Sequence, residues 1–164
     1  MTWWLKALPT AERAQVALEL LRIGLAGVLL LRGLCALGWA GEIYGAHGIL
    51  PWVVSELQLG AWVPRMSWTT WAMAPLGLDP DAAGKLIYIL YLVALTALLL
   101  GAWTRGAALA SLALHLILIN SASLSVYGVD LYAKIGLFYL LLAQVGRRWS
   151  VDAHFAASGV VGSD

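Results

Sequence analysis

Four ionisable side chains lie in stretches of sequence that are otherwise apolar: Arg32, His115, Asp130 and Lys134. A charge at membrane depth costs a few kcal/mol on insertion scales, so each of these groups needs a partner or a purpose. Asp130 and Lys134 are four residues apart with the acid first, the favourable order for an ion pair along a helix. The pattern predicts a helix start with an ion pair, and the alternative is that a desolvated Lys134 acts as a catalytic base.

Arg32 and His115 are the candidate ligand-binding residues. Arg32 needs an acid, a set of carbonyls or a bound anion, which leaves a structural role and a ligand or partner-subunit role open. His115 fits an axial ligand of a haem or chlorophyll-type pigment, a hydrogen-bond partner of a quinone carbonyl, or a donor to a backbone carbonyl of a neighbouring helix. The ligand predicted from these residues is a quinone or pigment at a subunit interface. Because His47, His115 and His154 belong to three different regions, no metal site is predicted.

The composition indicates a membrane protein. The chain has 62% hydrophobic and 12% charged residues, whereas about 25% of the residues in an ordinary soluble domain are charged. Its net charge of +1 gives no basic patch for phosphates, so a nucleic-acid partner is not predicted. The single Cys35 stands in an apolar run and is expected to be a small buried hydrophobic residue. We expect one integral membrane domain over residues 1–164 that contacts the lipid bilayer.

Apolar runs of about 20 residues predict the membrane-spanning helices. Two runs contain no Asp, Glu, Lys or Arg, and two others carry only a few charges. Within the first run, Glu19 and Arg22 are three residues apart and are expected to pair. The predicted fold is therefore an all-α bundle of four transmembrane helices, with spans at about 16–40, 86–104, 106–127 and 130–146.

The residues that flank these runs are typical of helix ends. Asp79 and Pro80 provide an N-cap and a first helical residue for the second span. Gly128 is expected to end the third span in the left-handed conformation, and Asp130 to cap the fourth. Ser150 and Asp152 repeat the capping pattern after the fourth span.

Loop charges predict the orientation, because Lys and Arg accumulate in short cytoplasmic loops. A cytoplasmic N-terminus puts the following cations inside: Lys6, Arg13, Arg105, Arg147 and Arg148. Arg65 and the boundary residue Lys85 then lie outside. We expect a protein of the cytoplasmic (inner) membrane with both termini in the cytoplasm.

The segment 42–84, between the first two spans, is rich in tryptophan and proline. It contains four of the nine tryptophans: Trp52, Trp62, Trp68 and Trp71. Tryptophan favours the headgroup level, because its ring is apolar and its N–H needs a partner. Short helices are expected that lie on the outer leaflet or fold over the bundle, either as an interfacial anchor or as a lid over a lipophilic ligand.

Five stretches together resemble a known family: "RIGLAGVLLLRGL", "YGAHGILPWV", "LLLGAWTRGAAL", "YGVDLYAKIGLFYLLL" and "GRRWSVDAHF". In this order, from about Leu21 to Phe155, they are similar to the HTTM family, the transmembrane domain related to vitamin-K-dependent gamma-carboxylase. The resemblance implies a helical bundle. The carboxylase uses a basic residue to deprotonate a vitamin K hydroquinone, but this chain lacks its large non-membrane part, so carboxylase activity is not expected. The first span also resembles DoxX-like four-helix membrane proteins, some of which accompany quinone-linked enzymes.

Two functions follow from these observations. The first is a non-catalytic accessory or assembly subunit of a larger membrane complex, respiratory or photosynthetic, that contacts other membrane subunits through Arg32, the Trp-rich segment and small-residue helix faces. The alternative is a quinone- or isoprenoid-binding membrane enzyme that uses Arg32, His115 and Lys134.

Overall fold

The computed structural model describes residues 10–47, 51–57, 59, 60, 62–122, 127–143, 149–152 and 154. All regular secondary structure within these ranges is helical. The helices are α1 (Thr10–Ala36), α2 (Ala40–Tyr44), α3 (Trp52–Glu56), α4 (Met66–Met73), α5 (Pro80–Leu100), α6 (Thr104–Ser121) and α7 (Gly128–Leu142). Two 3-10 turns, Leu37–Trp39 and Ala74–Leu76, follow α1 and α4.

The ends of α5 follow from local sequence. The Asp79 carboxylate accepts a hydrogen bond from the Asp81 amide at 3.3 Å, and Pro80 is the first helical residue, as predicted. Gly101 ends the helix with φ +71° and donates its N–H to the carbonyls of the last turn. A left-handed residue at this position favours glycine, which has no Cβ to clash. The chain therefore reverses within three residues, and α5 and α6 form an antiparallel hairpin.

The four long helices form a closed bundle in which α1 packs on α5, α5 on α6, α6 on α7 and α7 on α1. The core consists of large aliphatic side chains on the inward faces, with Leu95, Leu98, Leu118, Leu137 and Leu140 almost fully buried. At Gly33, where α1 meets α5, a Cβ would lie 2.5 Å from the Leu92 side chain. The two helices approach this closely because glycine stands at the contact.

The outward faces of these helices are also apolar. Large side chains such as Val28, Leu31, Val93 and Leu142 are more than half exposed. Among the described residues, the stretches Glu12–Tyr44 and Pro80–Leu100 are long and apolar enough to cross a membrane, by length and composition. α6, with 18 residues, is about 27 Å long, and α7, with 15 residues, is about 22 Å long.

The Trp-rich segment folds against the bundle. α3 and α4 pack on α6, and α4 also packs on α5. The Asn120 amide donates to the Pro64 carbonyl at 2.7 Å, which ties the segment to the end of α6. Trp52 packs against the core, whereas Trp62 and Trp71 are exposed. Short helices folded over the bundle were one of the two predicted arrangements.

Two predictions of local structure were wrong. Gly128 does not end the third helix; α6 ends at Ser121, and Gly128 is the first residue of α7. Cys35 is exposed rather than buried, because it lies on the outward face of α1. The predicted capping of the fourth helix by Asp130 is confirmed: from the first turn of α7, its carboxylate accepts the amide of the N-cap residue Tyr127. Lys6, Arg147 and Arg148 lie outside the described residues, so the orientation remains a prediction.

Candidate functional site

A cavity of about 240 Å³ lies between α1, α2, α5, α6 and the start of α7. We call it the Asp130 pocket. Its polar wall contains both predicted ligand-binding residues, one carboxylate and four tyrosines: Arg32, His115, Asp130, Tyr44, Tyr88, Tyr91 and Tyr127. The remaining wall is aliphatic and includes Leu29, Ala36, Ile43 and Leu118. The fold therefore brings Arg32 and His115 into one cavity, 83 positions apart in sequence.

Arg32 and Asp130 form an ion pair across the bundle, in which Nη1 of Arg32 donates to Oδ1 of Asp130. The Asp130 side chain is 4% exposed and the Arg32 side chain 48% exposed. Oδ2 of Asp130 accepts the Tyr127 amide at 3.0 Å, which completes a capping box at the start of α7. Both carboxylate oxygens of Asp130 therefore accept a hydrogen bond. Of the Arg32 nitrogens, Nη1 has an acceptor in the described part of the chain.

His115 is held by a hydrogen bond on each ring nitrogen. Nε2 lies 3.4 Å from the backbone carbonyl of Asp130, and Nδ1 lies 2.9 Å from the Tyr91 hydroxyl. A carbonyl can only accept, so Nε2 carries the proton and Nδ1 accepts from Tyr91. The predicted donation to a backbone carbonyl is confirmed. In this arrangement neither nitrogen offers a lone pair to the cavity, which does not fit axial ligation of a pigment.

Tyrosine rings make the aromatic wall of the pocket. Tyr44 and Tyr88 stack with their centroids 5.3 Å apart, and the Tyr88 hydroxyl donates to the Gly33 carbonyl at 2.8 Å. Tyr91 lies beside the His115 ring, with the ring centroids 5.7 Å apart. These rings are held by α2 and α5 and line the same cavity as Arg32.

Size and chemistry together limit what the Asp130 pocket can hold. Its volume of about 240 Å³ is below the ~300–1,000 Å³ of typical ligand pockets, which favours a compact group such as one substituted ring over a long chain. The guanidinium can donate to a carbonyl or a ring oxygen, and the tyrosine faces can stack. A planar ring with oxygen acceptors is complementary to this wall. Among the described residues, no group of three or more His, Cys, Asp or Glu side chains could hold a metal ion.

A second polar cluster lies toward the other end of the bundle. Arg22 is fully buried, and its Nε donates to Glu19 Oε2 at 3.0 Å, as predicted from their spacing. Nη1 donates to the carbonyls of Leu98 and Leu99 at 2.6 and 2.8 Å, and Nη2 donates to the Trp149 carbonyl. Arg22 therefore binds the carbonyl end of α5, where a cation is favoured. This cluster opens to no described cavity and is structural.

The carboxylate of Asp152 belongs to the same end of the bundle and caps α6. Oδ1 accepts the Trp103 amide at 2.9 Å, and Oδ2 accepts the Thr104 amide at 3.0 Å. These hydrogen bonds hold the pKa of Asp152 below its ordinary value, and the bond from the Thr104 amide has the largest effect. The predicted capping pattern of Ser150 and Asp152 follows the fourth span, but the carboxylate of Asp152 also caps α6, a helix that precedes it in sequence.

The predicted pairing of Lys134 with Asp130 was also wrong. Arg32 reaches Asp130 from α1 and takes the acceptor that Lys134 was expected to use. Lys134 is half-buried one turn further along α7 and does not line the Asp130 pocket. Sequence reasoning missed the tyrosines, although Tyr88 and Tyr91 are three residues apart and share one face of an apolar helix.

No family model, no curated protein and no solved structure matches the chain. The resemblance to the HTTM family and to DoxX-like proteins stays a prediction.

Proposed function

We propose that this chain is an integral protein of the cytoplasmic membrane that binds the ring of a quinone-class ligand in the Asp130 pocket. Its helices α1, α5, α6 and α7 embed in the bilayer, with both termini in the cytoplasm. The exposed apolar side chains on α1, α5 and α7 support insertion, because a soluble protein rarely leaves large apolar patches in water.

The observation that carries the ligand proposal is the half-exposed Arg32 guanidinium in a cavity that the stacked rings of Tyr44 and Tyr88 also line. His115 lies 11 residues after the start of α6, about 16 Å along an axis of ~27 Å, and is therefore near the middle of that helix. Intramembrane ionisable residues are rare and mark ligand or proton sites by default. Arg32 remains charged after pairing and faces the cavity, which gives a quinone oxygen a cationic donor.

The position of α7 supports the same proposal. Asp130, in the first turn of α7, lies beside His115, about 9 Å before the level at which α6 ends. Irregular backbone is tolerated at membrane depth where it lines a cavity or is covered by protein. Here α3 and α4 cover the outer part of α6, and in this proposal Ile43 and Tyr44, at the start of the Trp-rich segment, contact the ligand.

A cavity-filling variant tests ligand binding without removing a charge. Ala36→Leu adds three carbons to the pocket wall, and Ala17→Leu makes the same change on the exposed side of α1. The purified protein is titrated in detergent with a short-chain quinone, and quenching of tryptophan fluorescence is measured. We expect Ala36→Leu to weaken binding at least about tenfold, or ~1.4 kcal/mol, and Ala17→Leu to bind like the parent chain.

Equal affinity for the parent, Ala36→Leu and Ala17→Leu chains would place the quinone elsewhere and contradict the proposal. Saturable binding is required in addition, because a non-saturating signal reports partition of the quinone into the detergent micelle. The thermal unfolding midpoint of each variant is recorded on the same sample, so that a loss of folding is separated from a loss of binding.

An accessory-subunit role is the second candidate, and the outward face of α7 favours it. Tyr132 and Tyr139 are 76% and 61% exposed and lie seven residues apart on one side of the helix. A tyrosine hydroxyl that faces lipid at depth needs a hydrogen-bond partner, which a neighbouring subunit would supply. Native mass spectrometry after mild extraction tests this role. Stoichiometric co-purification that Tyr132→Phe weakens supports it, whereas a lone 17.6 kDa chain with a quinone-sized ligand contradicts it.

A further inference from the structure

A second, larger cavity of about 600 Å³ lies on the surface between α2 and the first turns of α5. We call it the Lys85 cleft. Its charged residues are Glu42, His47, Asp81 and Lys85, two acids and two bases. It is separate from the Asp130 pocket, with which it shares the wall residue Tyr88.

His47 is oriented by Asp81. The carboxylate Oδ2 lies 3.0 Å from Nδ1, and Oδ1 accepts the amide of Ala46 at 2.6 Å. Because a carboxylate accepts, Nδ1 carries the proton, and Nε2 is directed away from Asp81. The same hydrogen bond raises the pKa of His47 above its ordinary value, which favours an imidazolium that donates from Nε2. The side chain is 84% exposed, so this donor is accessible.

Lys85 follows Asp81 by one helical turn on the same face of α5. Its aliphatic chain crosses Gly41 on α2, where a Cβ would lie 2.9 Å from Lys85 Cε. The missing side chain at Gly41 leaves room for the lysine, and its ammonium is brought toward the opposite wall of the cleft. A compact cation and an imidazolium on one cleft form a donor pair for a phosphate.

The cleft is charged at one end and apolar at the other, as a phospholipid is. The acids and His47 lie at the α2 end, near the start of α5, and Lys85 lies one turn further. Leu37 and Ile89 form the far end, toward the centre of the bundle. A phospholipid has its charged headgroup above apolar chains, so the cleft matches its headgroup and the first carbons of a chain.

We propose that the Lys85 cleft binds a phospholipid whose headgroup carries both a phosphate and a primary amine, as in phosphatidylethanolamine. Lys85 and His47 bind the phosphate, and the exposed carboxylate of Glu42 accepts from the ammonium. A headgroup without an amine would offer the Glu42 carboxylate no donor, and a quaternary amine has no N–H to donate. The proposal rests on the proposed membrane insertion.

Lipid retention from a defined bilayer tests the site. The full chain is reconstituted in nanodiscs of equal parts phosphatidylethanolamine, phosphatidylglycerol and phosphatidylcholine, and extracted with mild detergent. The retained lipid is then counted per chain by mass spectrometry. We expect enrichment of phosphatidylethanolamine, a roughly tenfold loss in Lys85→Gln, corresponding to ~1.4 kcal/mol, and loss of the preference over phosphatidylcholine in Glu42→Gln. Arg105→Gln, which removes an exposed cation at the opposite end of the bundle, is expected to retain lipid like the parent chain.

Two outcomes would overturn the site. In the first, the parent chain retains the three lipids in the ratio supplied; in the second, Lys85→Gln and Arg105→Gln retain the same amount. If the chain has entered the nanodiscs, neither outcome contradicts the proposed membrane insertion or ligand binding in the Asp130 pocket. A chain that stays out of the bilayer overturns insertion and the lipid site together. The thermal midpoint of each variant shows that it is folded.

Discussion

Asp152 caps a helix that begins 48 residues earlier: its Oδ2 accepts the amide of Thr104 at 3.0 Å and the hydroxyl of Thr104 at 2.9 Å. Its own amide donates to the Gly101 carbonyl at 3.2 Å. Trp103, between them, has the left-handed φ of 46°, which is unusual for a residue with a side chain. The segment after α7 is thus tied to the turn between α5 and α6.

Removal of this cap is expected to destabilise the bundle. Asp152→Ala leaves the amides of Trp103 and Thr104 without their acceptor, at a cost of ~1 kcal/mol. Asp152→Asn keeps one side-chain oxygen and is expected to cost less. Thermal unfolding in detergent, followed by circular dichroism, measures both. An unchanged midpoint in Asp152→Ala would contradict the cap.

The stability contribution of Asp152 also depends on pH. Its pKa is lower in the folded chain than in the unfolded one, because the Thr104 amide donates to the carboxylate. The contribution is therefore complete above the ordinary pKa of about 3.9 and is lost as the pH falls through the lower folded value. We expect the difference in stability between the parent chain and Asp152→Asn to be constant near pH 7 and to shrink below pH ~4. A difference that grows in acid would contradict this linkage.

Two glycines with the same backbone conformation are expected to respond differently to alanine. Gly77 and Gly101 have φ values of 70° and 71°. A Cβ at Gly77 meets nothing within 4 Å, whereas at Gly101 it would lie 2.4 Å from Ser150 Cβ. Gly77→Ala is expected to cost about 1–2 kcal/mol of backbone strain, and Gly101→Ala a further ~1–3 kcal/mol because Ser150 must move. Chemical unfolding of the two variants compares them, and equal costs would mean that the Gly101 turn relaxes freely.

Removal of one partner of the buried pair Glu19 and Arg22 is expected to lower the free energy of unfolding substantially. Arg22→Met leaves the Glu19 carboxylate buried without the arginine and removes the donor to the Leu98 carbonyl, a loss of about 3–5 kcal/mol. Glu19→Gln combined with Arg22→Met is expected to recover part of this loss, because position 19 then carries no buried charge. A double-mutant cycle on the unfolding free energies measures the coupling. Additive costs would show that the two side chains act independently.

Lys134 and Arg32 are expected to differ in their effect on folding. Lys134→Met changes a half-buried side chain that is not the partner of Asp130, so we expect a change within about 0.5 kcal/mol. Arg32→Met leaves the buried Asp130 carboxylate unpaired and is expected to cost about 3 kcal/mol. The unfolding midpoints in detergent check both. If Lys134→Met were destabilised as much as Arg32→Met, the result would support an ion pair between Asp130 and Lys134 and contradict this prediction.

Much of the helical framework was predictable because it depends on local chemistry. Apolar runs placed the four long helices, and the start of α5 follows from Asp79 and Pro80, which act within one turn. The Glu19–Arg22 pair was predictable for the same reason, since both residues lie on one helical face.

For the candidate site, the sequence predicted two of the residues but not their arrangement. Arg32 and His115 were identified because polar groups in apolar helices need a purpose, but nothing local indicates that they share a cavity. The tyrosines Tyr44, Tyr88 and Tyr91 were missed because a tyrosine in an apolar run is compatible with a plain core position. Their proximity depends on how α2 and α5 pack.

The sequence by itself determined that the chain is a bundle of apolar helices and which of its residues are too polar to be there without a partner, because these properties depend on composition and on spacing along one helix. Only the tertiary structure decided the partners. Asp130 pairs with Arg32, 98 positions away, and not with Lys134 on its own helix. Asp152 caps α6, a helix that precedes it in sequence. An ion pair or a cap forms with whichever group the packing of helices brings within hydrogen-bond distance, and that distance is not encoded in local spacing.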